Sequence, residues 1–149
     1  MNISADMMAL ALALTSGVLM AVQGTLNTAL SKVIGLLETT FVVHITGTII
    51  LLILLFVFRM GKGNLMALSQ APWYAYLGGL LGVGIIYLVA ASIPKVGVAN
   101  ATTAIIVGQV LTAVAIDHFG GFGLERVPCG INQVFGLVLL AIGAKLLLK

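Results

Sequence analysis

Gln23, Asn27, His44, Tyr87, Thr103 and Gln109 stand well inside stretches that are otherwise apolar. Their shared chemistry is hydrogen bonding without fixed charge. An amide donates and accepts at once, which suits a polar solute that must be released as well as bound. An imidazole ordinarily titrates near neutral pH, so His44 is a candidate for proton coupling; the alternative is a hydrogen-bonded structural histidine. A nucleophile, an acid and a base are nowhere set together, so no catalytic residue is expected. Metal-spaced His and Cys pairs are missing, and Cys129 is the only cysteine, which excludes an intrachain disulfide. Neither a metal nor a cofactor is expected.

Composition says what surrounds these side chains. Of 149 residues, 61% are hydrophobic and only 7% are charged, against about 25% charged in a soluble domain. A chain so poor in charge cannot clothe a water-facing surface, so its solvent is mostly membrane lipid. The net charge of +3 comes from scattered Lys and Arg with no basic run, which argues against a nucleic-acid partner.

A bilayer core about 30 Å thick takes about 20 apolar residues per helix. Five stretches qualify, at roughly 8–30, 38–59, 73–94, 97–118 and 130–148. The predicted fold is therefore all-α: a single polytopic domain of five transmembrane helices. Period-2 alternation, which a membrane barrel requires, is absent. Trp73, Tyr74 and Tyr76 open the third span as interfacial anchors, and Pro94 and Lys95 punctuate a short connection to the fourth. The segment HFGGFGLERVPCG separates the fourth span from the fifth. The first span lacks a positive leader region, so a cleaved signal peptide is not expected. GGLLGVG at 78–84 lies inside an apolar run, where close helix packing is the better account. No internal repeat is evident.

Depth brings the polar groups to one level. At 1.5 Å per residue, Gln23 lies about 6 Å past the middle of the first span. His44, Tyr87 and Thr103 fall at about the same level in the next three, and Gln109 lies near the midplane. Polar side chains at such depth are costly unless they pair or line a cavity. Either they staple helices together, or they form a polar layer for a solute; as a set they favour the cavity. Gly17, Ala21, Gly24 and Thr28 add a ridge of small residues on the first span, as do Gly78 and Gly82 on the third.

Orientation follows Lys and Arg near span ends. Arg59, Lys62 and Arg126 fall on the N-terminal side; Lys32, Lys95, Lys145 and Lys149 fall on the other. Three against four gives no instruction, so insertion in both directions (dual topology) is expected. Many transporters pair two inverted halves around a midplane site. An odd-span chain inserted both ways supplies both halves as an antiparallel homodimer.

The stretches MAVQGTLNTALSKVIG and IPKVGVANATTAIIVGQVLTAVAIDHFGGFG resemble the YdcZ-like family of small bacterial inner-membrane proteins. That family lies in the drug/metabolite transporter superfamily, and the resemblance runs over essentially the whole chain. Gln23, Gly24 and Asn27 match the first motif; Gly108, Gln109, Asp117 and Gly120 match the second. The resemblance implies a multi-pass protein of the bacterial inner membrane, and a five-helix half of an inverted 5+5 transporter working as oppositely oriented pairs. The small multidrug resistance type carries a carboxylate within its first helix. Here only Asp6, at the very start, is acidic, and Gln23 takes the buried polar place.

The expected function is secondary transport of a small polar or amphiphilic organic solute by alternating access, with export the direction that the resemblance implies. Its expected partners are that solute, membrane lipid and a second copy; Gln23, Asn27, His44, Tyr87, Thr103 and Gln109 are its expected site. The competing readings are a passive channel, a cation exporter of the small multidrug resistance kind, and a structural membrane partner.

Overall fold

In a lipid solvent each backbone N–H and C=O must find its partner within the chain, which leaves helices as the economical answer for apolar segments. The computed structural model describes residues 3–148, with side chains from residue 6 onward. Five α-helices follow one another: α1 (Ile3–Ile34), α2 (Leu36–Leu52), α3 (Leu77–Val96), α4 (Val98–Phe119) and α5 (Ile131–Leu147). No strand occurs among the described residues. Four segments are long and apolar enough to cross a bilayer: Asp6–Ile34, Leu36–Val57, Trp73–Val96 and Val98–Phe119. The fifth, α5, has 17 residues, about 25 Å of helix, and is shorter than the stretch 130–148 suggested.

The largest departure from expectation is at the first connection. A linker over 31–37 was expected, but α1 runs on to Ile34 and α2 begins at Leu36, leaving Gly35 alone between them. Gly35 has φ 98 and ψ 162, a region essentially reserved for glycine. Its N–H donates to the Ser31 carbonyl at 3.0 Å, and its own carbonyl accepts from Thr39 N–H at 3.1 Å. One residue thus ends one helix and opens the next. Asp6 in the first turn of α1 and Lys32 in its last both complement the helix dipole.

The same device recurs. Gly97, at φ 85 and ψ 161, stands alone between α3 and α4, and its carbonyl accepts from Ala101 N–H at 3.1 Å. Pro94 therefore does not punctuate a loop as expected; it lies inside the last turn of α3, and the glycine three residues later makes the turn. Lys32-Val33-Ile34-Gly35 and Lys95-Val96-Gly97 are related pieces of sequence used alike, a short echo that composition and hydropathy do not reveal.

The chain divides into two units, Met1–Lys95 and Val96–Lys149. In the first, α1 packs on α2, and α3 meets α1 where Gly24 faces Val89 and Ile93. A π-helical turn, Ile53–Val57, extends α2 and ends near Arg59, which is held at φ 52. Two 3₁₀ turns, Leu65–Gln70 and Trp73–Tyr76, then lead into α3. The Tyr76 hydroxyl donates to the Leu68 carbonyl at 2.7 Å and ties these two turns together. Trp73 is exposed, as an interfacial anchor would be.

In the second unit α4 packs on α5. Gly120 closes α4 in the left-handed conformation, with φ 66 and ψ 43. The following loop folds back onto the helix end: Val127 N–H donates to the Asp117 carbonyl at 2.8 Å, and Arg126 Nε donates to the His118 carbonyl at 2.9 Å. Cys129 N–H donates to His118 Nδ1 at 3.1 Å. At the start of α5, Gly130 N–H donates to Gln133 Oε1 at 2.8 Å.

Burial is inverted relative to a water-soluble domain. Among the described residues the buried apolar ones are Ala90, Ile93, Ala101 and Ala144, and the buried polar ones are Asn27, Thr28, Thr39 and Thr40. The large aliphatic side chains point outward; Leu14, for instance, is 74% exposed. In water such a surface would be untenable. In lipid it is the ordinary outside of the protein.

Candidate functional site

Helix α1 presents its amides on adjoining faces one turn apart. Asn27 is 7% exposed, and its amide makes no hydrogen bond among the described residues. None of its amide atoms is sealed off completely, because one edge meets a groove of about 360 Å³ lined by Leu19, Met20, Val22, Gln23, Leu26 and Asn27. Gln23 is exposed on the flank of the same groove. Two amides with unspent donors and acceptors thus share one concavity.

The neighbouring polar residues are satisfied from within. Thr28 Oγ1 donates to the Gly24 carbonyl at 2.8 Å, Thr39 Oγ1 to Gly35 at 2.7 Å and Thr40 Oγ1 to Leu36 at 2.9 Å. Each hydroxyl turns back on its own helix, as Ser and Thr do inside helices. These threonines are buried without joining one helix to another. Interhelical stapling therefore has no support at Thr28, Thr39 or Thr40.

His44 on α2 is half-buried, and its Nδ1 lies 2.8 Å from the Thr40 carbonyl. A carbonyl can only accept, so Nδ1 carries the proton and donates in this bond. Nε2 points at α3, where it lies 3.6 Å from the position a Cβ on Gly82 would take. Glycine at 82 makes room for the ring.

The one-residue turn also corrects the depths. Asn27 lies eight residues before Gly35 and His44 nine after it, about 12 and about 13.5 Å from the turn. Asn27, rather than Gln23, is level with His44; Gln23 lies about 4.5 Å deeper than His44. Counting from the middle of an assumed span misplaced them because α1 and α2 use almost every residue that was assigned to a connection.

Tyr87 lies five residues beyond Gly82, about 140° around α3, on another flank from the one that meets His44. Its hydroxyl has no partner among the described residues. On α4, Thr103 is half-buried and Gln109 exposed. Six residues apart, they point about 120° away from each other. Thr102, seven residues before Gln109, shares its face more closely. Sequence reading passed over Thr102, although the i, i+7 spacing could have found it. In contrast to the threonines of α1 and α2, the hydroxyls of Thr102, Thr103 and Thr112 make no hydrogen bond among the described residues. The α4–α5 surface carries its own groove, about 510 Å³, lined by Ala104, Val107, Ala141, Ala144, Lys145 and Leu148. It is mostly apolar and shares no residue with the sequence-predicted set. No group of His, Cys, Asp or Glu that could hold a metal occurs among the described residues.

The small-residue ridge has separate parts. Gly24 is a close approach: a Cβ there would lie 2.9 Å from Val89 Cγ1 and 3.2 Å from Ile93 Cδ1. Gly17 and Gly78 have nothing within 4 Å.

Residues 8–146 match the family described as "Putative inner membrane exporter, YdcZ". The chain belongs to the YdcZ family. It is accordingly a multi-pass protein of the inner membrane with transmembrane helices, in a family described as exporters. No curated protein and no solved structure matches it.

Proposed function

We propose that this YdcZ family member is a secondary exporter of a small polar or amphiphilic organic solute, with Gln23, Asn27, His44 and Gln109 along the solute path and Tyr87 and Thr103 near it. The observation that carries this reading is the Asn27 amide. It is more than nine-tenths buried, it has no partner among the described residues, and it opens on a groove that it shares with Gln23. A group in that state costs stability unless something polar visits it.

In this reading α5 spans the bilayer as the fifth helix, with its short length made up by the loop folded against α4 and by Lys145 near its end. Two copies inserted in opposite directions form the transporter, and rocking between them gives alternating access. The nearly even distribution of Lys and Arg supports insertion in both directions. The bare first half of α1, where residues 6–20 are all exposed, supports a partner helix or lipid along it.

The direct test is solute efflux from proteoliposomes containing the purified chain. Saturable efflux that is lost in Asn27→Leu, with assembly unchanged, is expected. Efflux that rises without limit as solute increases would identify a passive pore instead.

A further inference from the structure

We infer that the solute crosses as an uncharged molecule that both donates and accepts hydrogen bonds, without a coupled ion; this rests on the transport reading above. No Asp, Glu, Lys or Arg lies inside any of the five helices away from their ends. Charges stop at Asp6 and Lys32 on α1, Glu38 and Arg59 around α2, Lys95 on α3, Asp117 on α4 and Lys145 on α5. An ion taken to mid-bilayer depth needs a countercharge or a full set of dipoles in place of its water. The midspan side chains supply no fixed countercharge.

What they do offer is neutral and two-sided. The free Asn27 amide presents one carbonyl oxygen and two N–H donors, and Gln23 beside it presents the same set. His44 has its Nδ1–H spent on the Thr40 carbonyl. Its Nε2 faces Gly82. Such a set complements amide, urea or hydroxyl groups. It offers ammonium and carboxylate groups no fixed opposite charge. The apolar lining from Leu19, Met20, Val22 and Leu26 accommodates a hydrocarbon portion of the same molecule.

The experiment uses intact cells and their own metabolites as the probe. Cells producing the wild-type chain, Asn27→Leu or Gln23→Leu are washed and resuspended, and the solutes they release are profiled by mass spectrometry and sorted by charge at neutral pH. Solutes released in excess by wild type are expected to be uncharged. Their release is expected to fall about tenfold in Asn27→Leu, the size of effect one lost hydrogen bond produces. Gln23, being exposed, provides a second variant should Asn27→Leu fail to accumulate. Excess release dominated by cations, anions or zwitterions overturns the inference while leaving transport standing. No excess release of anything overturns the transport reading itself. A released solute is then loaded into proteoliposomes: an unchanged rate under an imposed potassium diffusion potential of either sign is expected, and a rate that follows the potential contradicts the absence of a coupled ion.

Discussion

The imidazole of His44 on α2 reaches α3 at Gly82, its Nε2 lying 3.6 Å from the place where a Cβ would stand. Because the Nδ1–H is committed to Thr40, the ring cannot easily turn away from an intruding side chain. Gly82→Ala is therefore expected to be tolerated, since 3.6 Å is ordinary van der Waals contact. Gly82→Leu is expected to displace the ring and reduce transport. Melting temperature and efflux measured on both variants check this; equal efflux in the two would mean that the ring's position is immaterial.

At Gly24 volume is the constraint. A methyl there meets the branched Val89 Cγ1 at 2.9 Å, and a valine methyl cannot swing aside as a long side chain can. Gly24→Ala is expected to destabilise the first unit by about 1–3 kcal/mol, the usual cost of overpacking. Val89→Ala introduced into the same chain is expected to restore most of the loss, and thermal unfolding of the single and double variants measures it.

The two turn glycines make a matched pair for a backbone argument. Alanine at Gly35 would collide with the Glu38 carboxylate, whereas alanine at Gly97 would meet nothing within 4 Å. The carboxylate is the far end of a flexible side chain and can move. The cost common to both is the strained dihedral, about 1–3 kcal/mol. Gly35→Ala and Gly97→Ala are thus expected to lower stability by similar amounts. A much larger loss at Gly35, relieved by Glu38→Ala, would show that the collision dominates.

His118 holds the start of the last helix through its Nδ1, which accepts from Cys129 N–H. Cys129 is the only thiol in the chain, so its alkylation reports this contact alone. His118→Phe removes the acceptor and is expected to speed maleimide labelling at Cys129. His118→Asn supplies an oxygen near the same place and is expected to label more slowly than His118→Phe.

Dual insertion makes its own prediction. C-terminal reporters active only in the cytoplasm, or only outside it, are both expected to give signal, because the Lys and Arg distribution is nearly even. Two additional Lys between residues 60 and 70 are expected to bias the population toward one orientation. Signal from one reporter alone would mean a single topology and a separate, oppositely inserted partner.

How far the sequence carried depends on which physics set each feature. Hydropathy alone indicates apolar helices, because lipid is a uniform solvent that asks only for length and lack of charge. It missed the turns at Gly35 and Gly97, since a one-residue reversal leaves no polar run to mark it; only the glycine itself signals it. The depth error at Gln23 followed from that. The two amides of α1 were legible as a feature needing explanation, but their difference was not. Asn27 is buried and Gln23 exposed because of where α1 meets α2 and α3, which no local pattern records. On α4, Thr103 was chosen by depth alone, whereas the angular position about the helix relates Thr102 to Gln109.

The central claim is that the unpartnered amides of α1 contact a solute, and the measurement that tests it most directly is efflux per assembled copy of the proposed dimer. Asn27→Ala and Gln23→Ala are purified, sorted by size, and compared with wild type at equal dimer content in proteoliposomes. The account predicts dimers of normal yield and near-normal melting temperature whose efflux of the transported solute is reduced about tenfold, the scale of one lost hydrogen bond. Dimers that are scarce, but carry solute at the wild-type rate once isolated, would contradict it and make the amides contacts between subunits.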